Sequence, residues 1–194
     1  FFSPIEPLTK FPSHLRYLRI EGGYEKTPIE CSLPLTLQYL DLDWSYDCPI
    51  WDLSMLTQLK GLRIHRFHSS SNEVLHLPSS LKILDLDDCA ISFQFITNLT
   101  RLETLFLQEE ADLETEDILP PSLKKLSFPP SFKSPWLYLP SSLETLDLSL
   151  CQDDLPLAKK LPDSIKNIRL ELSDFDGEQF SSFDFLPPYL EYLE

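Results

Sequence analysis

LPSSLKILDL, at residues 77–86, and LPSSLETLDL, at residues 139–148, are nearly the same sequence at two distant places in the chain. Both end in the apolar triplet L-x-x-L-x-L, which recurs along the whole sequence with Ile or Phe at some positions. The copies are Leu15/Leu18/Ile20, Leu37/Leu40/Leu42, Leu59/Leu62/Ile64, Leu81/Leu84/Leu86, Leu102/Leu105/Leu107, Leu123/Leu126/Phe128, Leu143/Leu146/Leu148 and Ile165/Ile168/Leu170. A ninth copy begins at Leu190 and Leu193, and the first residues of successive copies lie 20 to 25 residues apart. This regular spacing indicates an internal repeat.

The end of each triplet alternates apolar and polar residues, as in a β-strand with one buried face. Most copies follow a Pro, as in Leu161-Pro162-Asp163-Ser164-Ile165, whereas the third and fifth copies follow Leu56-Thr57-Gln58 and Leu99-Thr100-Arg101. Because Pro has no N–H to donate to a sheet, it predicts that each strand begins after it. A unit of this length holds one short strand and a return segment, so successive strands must run parallel.

The composition limits the classes of protein to which this chain can belong. The 194 residues include 39 Leu, 17 Pro and only 4 Gly, enough apolar residues for a substantial core and few flexible turns. The formal net charge of −15 argues against nucleic-acid binding, which needs a clustered basic face, and against an anionic membrane surface. No apolar run reaches the roughly 18 residues of a membrane span. Four Cys are too sparse for a disulfide-dense secreted scaffold, which favours an intracellular compartment.

The repeat resembles the leucine-rich repeat family, whose pattern is L-x-x-L-x-L-x-x-N/C. Cys89 and Cys151 match the ninth position of that pattern. In the family this side chain bonds the backbone of the turn after the strand, so the other residues found there in this chain imply irregular turns. The Leu-Pro-x-Ser-Leu lead is partly similar to FNIP-type repeats and to the repeats of bacterial ubiquitin-ligase effectors.

The resemblance implies a leucine-rich-repeat solenoid of about nine coils of 20–25 residues, with a curved parallel β-sheet on its concave face. On the convex side we expect irregular or 3₁₀ structure, with helical turns over 90–98 and 174–186, because the return segments lack a period of 3.6. We expect residues 1–194 to form a single domain, excised from a longer chain. Neither end carries a polar cap, so the open ends are candidates for stacking on further coils or on a second copy.

Function is expected on the concave face, where the residues between the Leu positions point to solvent. Neighbouring strands lie about 4.8 Å apart, so equivalent residues form columns across the sheet. The predicted partner-binding residues are Tyr17, Arg19, Tyr39, Asp41, Asp43, Arg63, His65, Asp85, Asp87, Phe106 and Asp147. They combine carboxylates that attract a basic partner with the Tyr and Arg side chains that interface cores favour. Alternatively, opposite charges in a column pair with one another and contribute only about 0–1 kcal/mol each.

Catalytic and metal chemistry are not expected. The chain lacks a G-x-S-x-G motif and has too few Gly for a loop that cradles phosphate. His65 lies between Asp43 and Asp87 in its column, but a flat strand face offers poor tetrahedral geometry for a metal ion. The acidic run 109–117 lacks the spacing and the Gly of a calcium loop, and we expect a solvated convex loop. No cofactor is predicted.

The sequence therefore predicts a non-catalytic module for protein–protein interaction that binds a partner with a basic surface on its acidic concave face. Two alternatives stay open. One is the substrate-recognition domain of a ubiquitin ligase, which the resemblance permits. The other is a secreted or cell-surface receptor ectodomain, in which Asn98-Leu99-Thr100 would be a glycosylation acceptor.

Overall fold

The computed structural model describes residues 11–21, 33–43, 52–68, 75–90, 93–107, 119–128, 139–148, 161–170 and 186–194. Within these ranges each copy of the repeat contributes one β-strand. The strands are β1 (Tyr17–Glu21), β2 (Tyr39–Asp43), β3 (Gly61–His68), β4 (Ile83–Ala90), β5 (Thr104–Leu107), β6 (Lys125–Ser127), β7 (Thr145–Leu148), β8 (Asn167–Leu170) and β9 (Tyr192–Leu193). A 3₁₀ helix (Phe93–Asn98) follows β4, which confirms the helical turn predicted in segment 90–98.

The nine strands pair in chain order and in parallel, which confirms the predicted sheet. The register follows the repeat, so Leu18 lies beside Leu40, and Leu40 lies beside Leu62. The apolar residues of the triplets form one continuous core along the back of the sheet, where Leu81 and Leu102 are fully buried. Burying such a side chain contributes about 1.5–3 kcal/mol. Because each coil buries its Leu against its neighbours, no coil is stable alone.

A tight turn precedes each strand. In the fourth copy the carbonyl of Pro78 accepts a hydrogen bond of 3.2 Å from the N–H of Leu81, and β4 begins two residues later at Ile83. In the third copy, which lacks Pro, the carbonyl of Leu56 accepts the same bond from Leu59 at 2.8 Å. In the copies that have a Pro, the strand begins after it, which confirms the prediction.

A row of hydroxyl groups links successive turns, a feature that the sequence analysis does not predict. The hydroxyl that precedes the first Leu or Ile of a copy donates to the carbonyl of the first Leu in the preceding copy. The pairs are Thr36 with Leu15 (2.9 Å), Ser80 with Leu59 (2.8 Å), Ser122 with Leu102 (2.8 Å), Ser142 with Leu123 (2.7 Å) and Ser164 with Leu143 (2.7 Å). Gln58 and Arg101 occupy this position in the third and fifth copies, where no hydroxyl is available.

Strands β3 and β4 run to eight residues and are longer than the repeat requires. Their pairing continues to Phe67 beside Cys89 and His68 beside Ala90. The repeat pattern predicts no strand there, because it specifies only the L-x-L core of each strand. The Cys89 thiol is buried and lies 3.4 Å from the carbonyl oxygen of Ile64 on β3. The carbonyl of Asp87 on its own strand lies 3.3 Å away, so the single S–H has two carbonyl acceptors within reach.

Several expectations fall outside the described residues, among them the structure of segments 109–117 and 174–185 and of Cys151. That residues 1–194 form a single domain stays a prediction. In the described part of the chain, no helix is long and apolar enough to cross a membrane.

Candidate functional site

A row of three exposed apolar side chains, interrupted by the buried Gly61 on β3, crosses β1 to β4 on the concave face. Tyr17, Tyr39, Gly61 and Ile83 occupy the third position of their repeats and lie beside one another in register. Tyr17 is 56% exposed, Tyr39 43% and Ile83 38%. The structure thus brings together the two Tyr that the sequence predicts, and adds Gly61 and Ile83, which it does not. We call these four residues the aromatic row.

Gly61 makes room for the ring of Tyr39. A Cβ atom at Gly61 would lie 2.6 Å from Cδ1 and 2.9 Å from Cε1 of Tyr39, closer than carbon atoms approach in proteins. The absence of a side chain on β3 therefore allows the ring to lie over the neighbouring backbone. The chain has only 4 Gly, and a Gly within a strand often marks the close approach of another group. The position of Gly61 within a predicted strand could therefore have indicated such a contact.

Beside the aromatic row, the charged residues at the fifth repeat position pair with one another. Arg19 Nε lies 3.6 Å from Asp41 Oδ2, and Arg63 Nε lies 3.1 Å from Asp85 Oδ2. Arg19 also contacts Glu21 at 3.0 Å. Neither Arg63 Nε nor Asp41 Oδ1 has a hydrogen-bond partner, so the Arg63–Asp85 contact is an ion pair without hydrogen-bond alignment. Such partly exposed pairs contribute about 0–1 kcal/mol.

The seventh repeat position carries Glu21, Asp43, His65 and Asp87 on the first four strands. His65 Nδ1 lies 2.6 Å from Asp87 Oδ2, and both side chains are mostly buried. Asp43 ends β2 in register with His65, but its side chain lies outside the described part. Among the described residues, no group of three or more His, Cys, Asp or Glu side chains is placed to hold a metal ion.

The predicted residues of the second half of the sheet are engaged differently. Lys125 on β6 places its Nζ 5.1 Å from the centroid of the Phe106 ring on β5, a cation–π contact. Ser127 is 7% exposed, so the expectation that its column points to solvent is wrong at this residue. It lies in register between Phe106 and Asp147, and its short side chain does not reach past these larger neighbours. Asp147 is half-buried.

Comparison with solved structures decides the fold. The chain is similar to CroV588, described as a novel circular LRR protein, whose crystal structure matches with a TM-score of 0.67 and 22% identity. The match covers 95% of this chain and 27% of that one. This chain is a leucine-rich-repeat solenoid. No family model matches the sequence. No curated protein matches it either. The chain spans about 27% of the length of CroV588, so the likeness describes a stretch of solenoid.

The solenoid also carries a charge ladder at the second repeat position, which the sequence analysis does not identify. Glu103 on the fifth coil contacts Lys82 at 2.7 Å and Lys124 at 3.6 Å, one on each neighbouring coil. The hydrogen bond and the positive charge of Lys82, together with the charge of Lys124, lower the pKa of Glu103 below its usual 4.5. The alternation of Lys and Glu at this position from the fourth coil onward could have indicated the charge ladder from the sequence. Its members are Lys82, Glu103, Lys124, Glu144, Lys166 and Glu191.

Proposed function

We propose that this chain is a protein-interaction module whose partner contacts the concave face of β1 to β4. Leucine-rich-repeat solenoids are generally scaffolds for protein interaction and are typically non-catalytic. The observation that carries the proposal is the aromatic row. Tyr17, Tyr39 and Ile83 stay exposed beside one another, and Tyr is among the residues that dominate binding energy at protein interfaces.

The charges around the aromatic row support a basic partner. Glu21 on β1 and Asp87 on β4 place two carboxylates beside the row, in a chain whose net charge is −15. A negative field speeds the encounter with a basic surface more than it strengthens the final complex. Arg19 and Arg63 pair with Asp residues of the adjoining strands in the middle of the face, and the continuous core fixes the strands that carry them. Rigid presentation lowers the entropy lost when the partner binds.

The test compares proteins captured by the immobilised chain and by two variants, with identification by quantitative mass spectrometry. Tyr17→Ala with Tyr39→Ala removes the exposed rings, and we expect a specific partner to be lost by about tenfold or more. The matched control is Thr145→Ala with Asn167→Ala, at the same repeat position on β7 and β8. A partner held equally by all three proteins contradicts the proposal.

A charge exchange tests the neighbouring column. Arg63→Glu with Asp85→Lys keeps an ion pair between β3 and β4 but reverses its direction, so the melting temperature is expected to fall by no more than a few degrees. Capture of the same partner is expected to be lost. Unchanged capture would exclude this column from the interface and leave the aromatic row to be judged by its own variants.

Of the alternatives, the receptor ectodomain has a direct test. Asn98 ends the 3₁₀ helix and is exposed, as a glycosylated residue must be. Sugar on Asn98 in material from the native host would support the ectodomain, and an unmodified Asn98 would count against it. The ubiquitin-ligase alternative depends on sequence that adjoins this solenoid, where an F-box-like or catalytic segment would favour it.

A further inference from the structure

The second and third residues of the repeat both point away from the core. The Leu residues at the first and fourth positions are buried, as Leu37 and Leu40 are on either side of Gln38 and Tyr39. In a regular extended chain, residues three apart lie on opposite faces, so the alternation breaks between these two Leu. It breaks where the N–H groups of Gln38 and Tyr39 both bond the carbonyl of Arg16, at 2.8 and 3.0 Å, as in a β-bulge. The second position therefore lies beside the aromatic row.

In the first four coils this second position is basic. Arg16, Lys60 and Lys82 are exposed there, and Gln38 is uncharged. We call the three charged residues the basic column. At Glu103 on the fifth coil the sign changes, and from there the charge ladder alternates. The basic column therefore accompanies the aromatic row through the same four coils.

The seventh position of the same coils has the opposite sign. Glu21 is about half exposed, and Asp87 lies beside His65 and is less exposed. We call Glu21 and Asp87 the acidic pair. Between the acidic pair and the aromatic row, the fifth position holds two Arg and two Asp that pair with one another, so their charges largely cancel. Four residues separate the aromatic row from the seventh position, which is about 13 Å along a strand.

We infer that the partner segment bound by the aromatic row carries charges of both signs in a fixed order. The inference rests on the proposed function and names the chemistry of the segment. An apolar side chain packs on Tyr17 and Tyr39, and an acidic side chain next to it faces the basic column. A basic side chain about 13 Å away faces the acidic pair, a distance that an extended segment covers in about four residues.

Charge complementarity on this face selects the order of the partner's charges. A segment bound in the reverse order would place like charges together at both the basic column and the acidic pair, which is unfavourable. A segment that is basic throughout would complement the acidic pair and be repelled by the basic column. The net charge of the whole chain still attracts a partner whose overall charge is basic, because that field acts over a longer range.

The probe is a phage-displayed library of random peptides of about twelve residues, long enough to span both groups of charges in either chain direction. Peptides selected on the immobilised chain are sorted by whether they lose binding to the variant Tyr17→Ala with Tyr39→Ala. Those that lose it are expected to carry an acidic residue next to an aromatic or aliphatic one. They are expected to carry Lys or Arg about four residues from the acidic residue.

Neutralising substitutions then assign each charge to its contact. Arg16→Gln with Lys60→Gln reduces the basic column, and Glu21→Gln with Asp87→Asn removes the acidic pair. Each double variant is expected to bind such a peptide about five- to tenfold more weakly. A peptide whose acidic residue is replaced by its amide is expected to show no further loss with the first variant. A peptide whose basic residue is replaced by Gln is expected to show none with the second.

The matched controls make the same changes in net charge at exposed second positions of later coils. They are Lys124→Gln with Lys166→Gln, and Glu144→Gln with Glu191→Gln. Both are expected to bind the selected peptides like the wild type. Circular dichroism checks that each variant is folded, and Glu21→Gln alone replaces the second double variant if Asp87→Asn unfolds the chain.

The outcomes separate this inference from the proposed function. Peptides that depend on the two Tyr but couple to neither group of charges would overturn the inference and leave the proposed function standing. Equal losses in the control variants would also overturn it, since the effect would then belong to net charge. If no selected peptide depends on the two Tyr, the proposed function fails and the inference fails with it.

Discussion

The two halves of the concave face, β1 to β4 and β5 to β8, are built on the same core. They differ in whether the side chains at the third repeat position contact neighbours or stay exposed. On β5 to β8 the third repeat position holds Thr104, Lys125, Thr145 and Asn167. Lys125 covers the ring of Phe106, and Asn167 donates to the hydroxyl of Thr145 at 3.4 Å. On β1 to β4 the same position is the aromatic row, whose large side chains stay exposed. At this position Lys125, Thr145 and Asn167 contact neighbouring side chains of the solenoid, whereas Tyr17, Tyr39 and Ile83 stay exposed.

This difference shows that the repeat does not require the exposed rings. The strand register is continuous from one half to the other, and a Thr at the third position serves the fold equally well. Exposed aromatic side chains in a row therefore need a reason outside the core, and binding supplies one. Leu positions determine the fold, and the residues between them determine what each half can contact.

The largest expected effect tests whether the two halves share one core. Leu84→Asp on β4 and Leu146→Asp on β7 each place a charge among fully buried neighbours. Both are expected to destabilise the fold by more than about 4 kcal/mol and to abolish cooperative thermal unfolding, followed by circular dichroism. Asp85→Asn, next to Leu84 on the concave face, is the control and is expected to melt almost like the wild type. A cooperative transition in either Leu variant would show that the other half unfolds independently, and so that the two halves do not share one core.

A smaller effect is expected at Gly61, whose contact with the Tyr39 ring occurs in the first half of the face. In the wild-type chain, Gly61→Ala forces the Tyr39 ring to move and is expected to destabilise the fold slightly. In a Tyr39→Ala background the same substitution is expected to stabilise it by about 0.5–1 kcal/mol, because Ala restricts the unfolded chain more than Gly does. The coupling between the two sites is therefore expected to be about 1 kcal/mol in urea unfolding. Additive effects would show that the ring does not depend on Gly61.

Much of the fold follows from the sequence, because the spacing of Leu determines the register of all nine strands. Tyr17 and Tyr39 could be placed in one column for the same reason. The position of the Tyr39 ring over Gly61 could not, since it depends on a side-chain torsion that the repeat leaves free. The extension of β3 and β4 to His68 and Ala90 also lies beyond the pattern. It depends on pairing between two particular coils.

The sequence predicts which charged residues lie side by side, but not which of them pair with one another. The columns place Arg63 beside Asp85, but the same column could equally have turned both charges toward a partner. The charge ladder around Glu103 was not predicted, because its residues lie at the second repeat position, outside the L-x-L core that defines the repeat. The assignment of the eleven predicted residues to partner binding stays a prediction, and the variants of the aromatic row test it.

The row of hydroxyl groups is common to both halves, and its removal is expected to have a similar effect in each. Ser80→Ala in the first half and Ser164→Ala in the second each remove a part-buried donor to the preceding coil. Each is expected to lower the free energy of unfolding by about 1 kcal/mol, measured by urea denaturation. Gln58→Ser, which supplies a hydroxyl where the third copy has none, is expected to raise it by a smaller amount. A loss in only one half would show that the coils differ in more than their concave face.

The smallest effect concerns Glu103, whose carboxylate joins the fourth, fifth and sixth coils at the junction of the two halves. Its pKa in the folded chain is below 4.5, chiefly because Lys82 donates a hydrogen bond to it. A lowered folded pKa adds stability above the unfolded value and loses it as the pH falls through the folded value. Glu103→Gln is therefore expected to reduce the melting temperature slightly at neutral pH, with the difference shrinking as the pH falls below about 4.5. High salt is expected to shrink it as well, because the group is exposed. A difference that did not change with pH would mean that Glu103 joins the halves through packing of its side chain, and that its charge has no part in it.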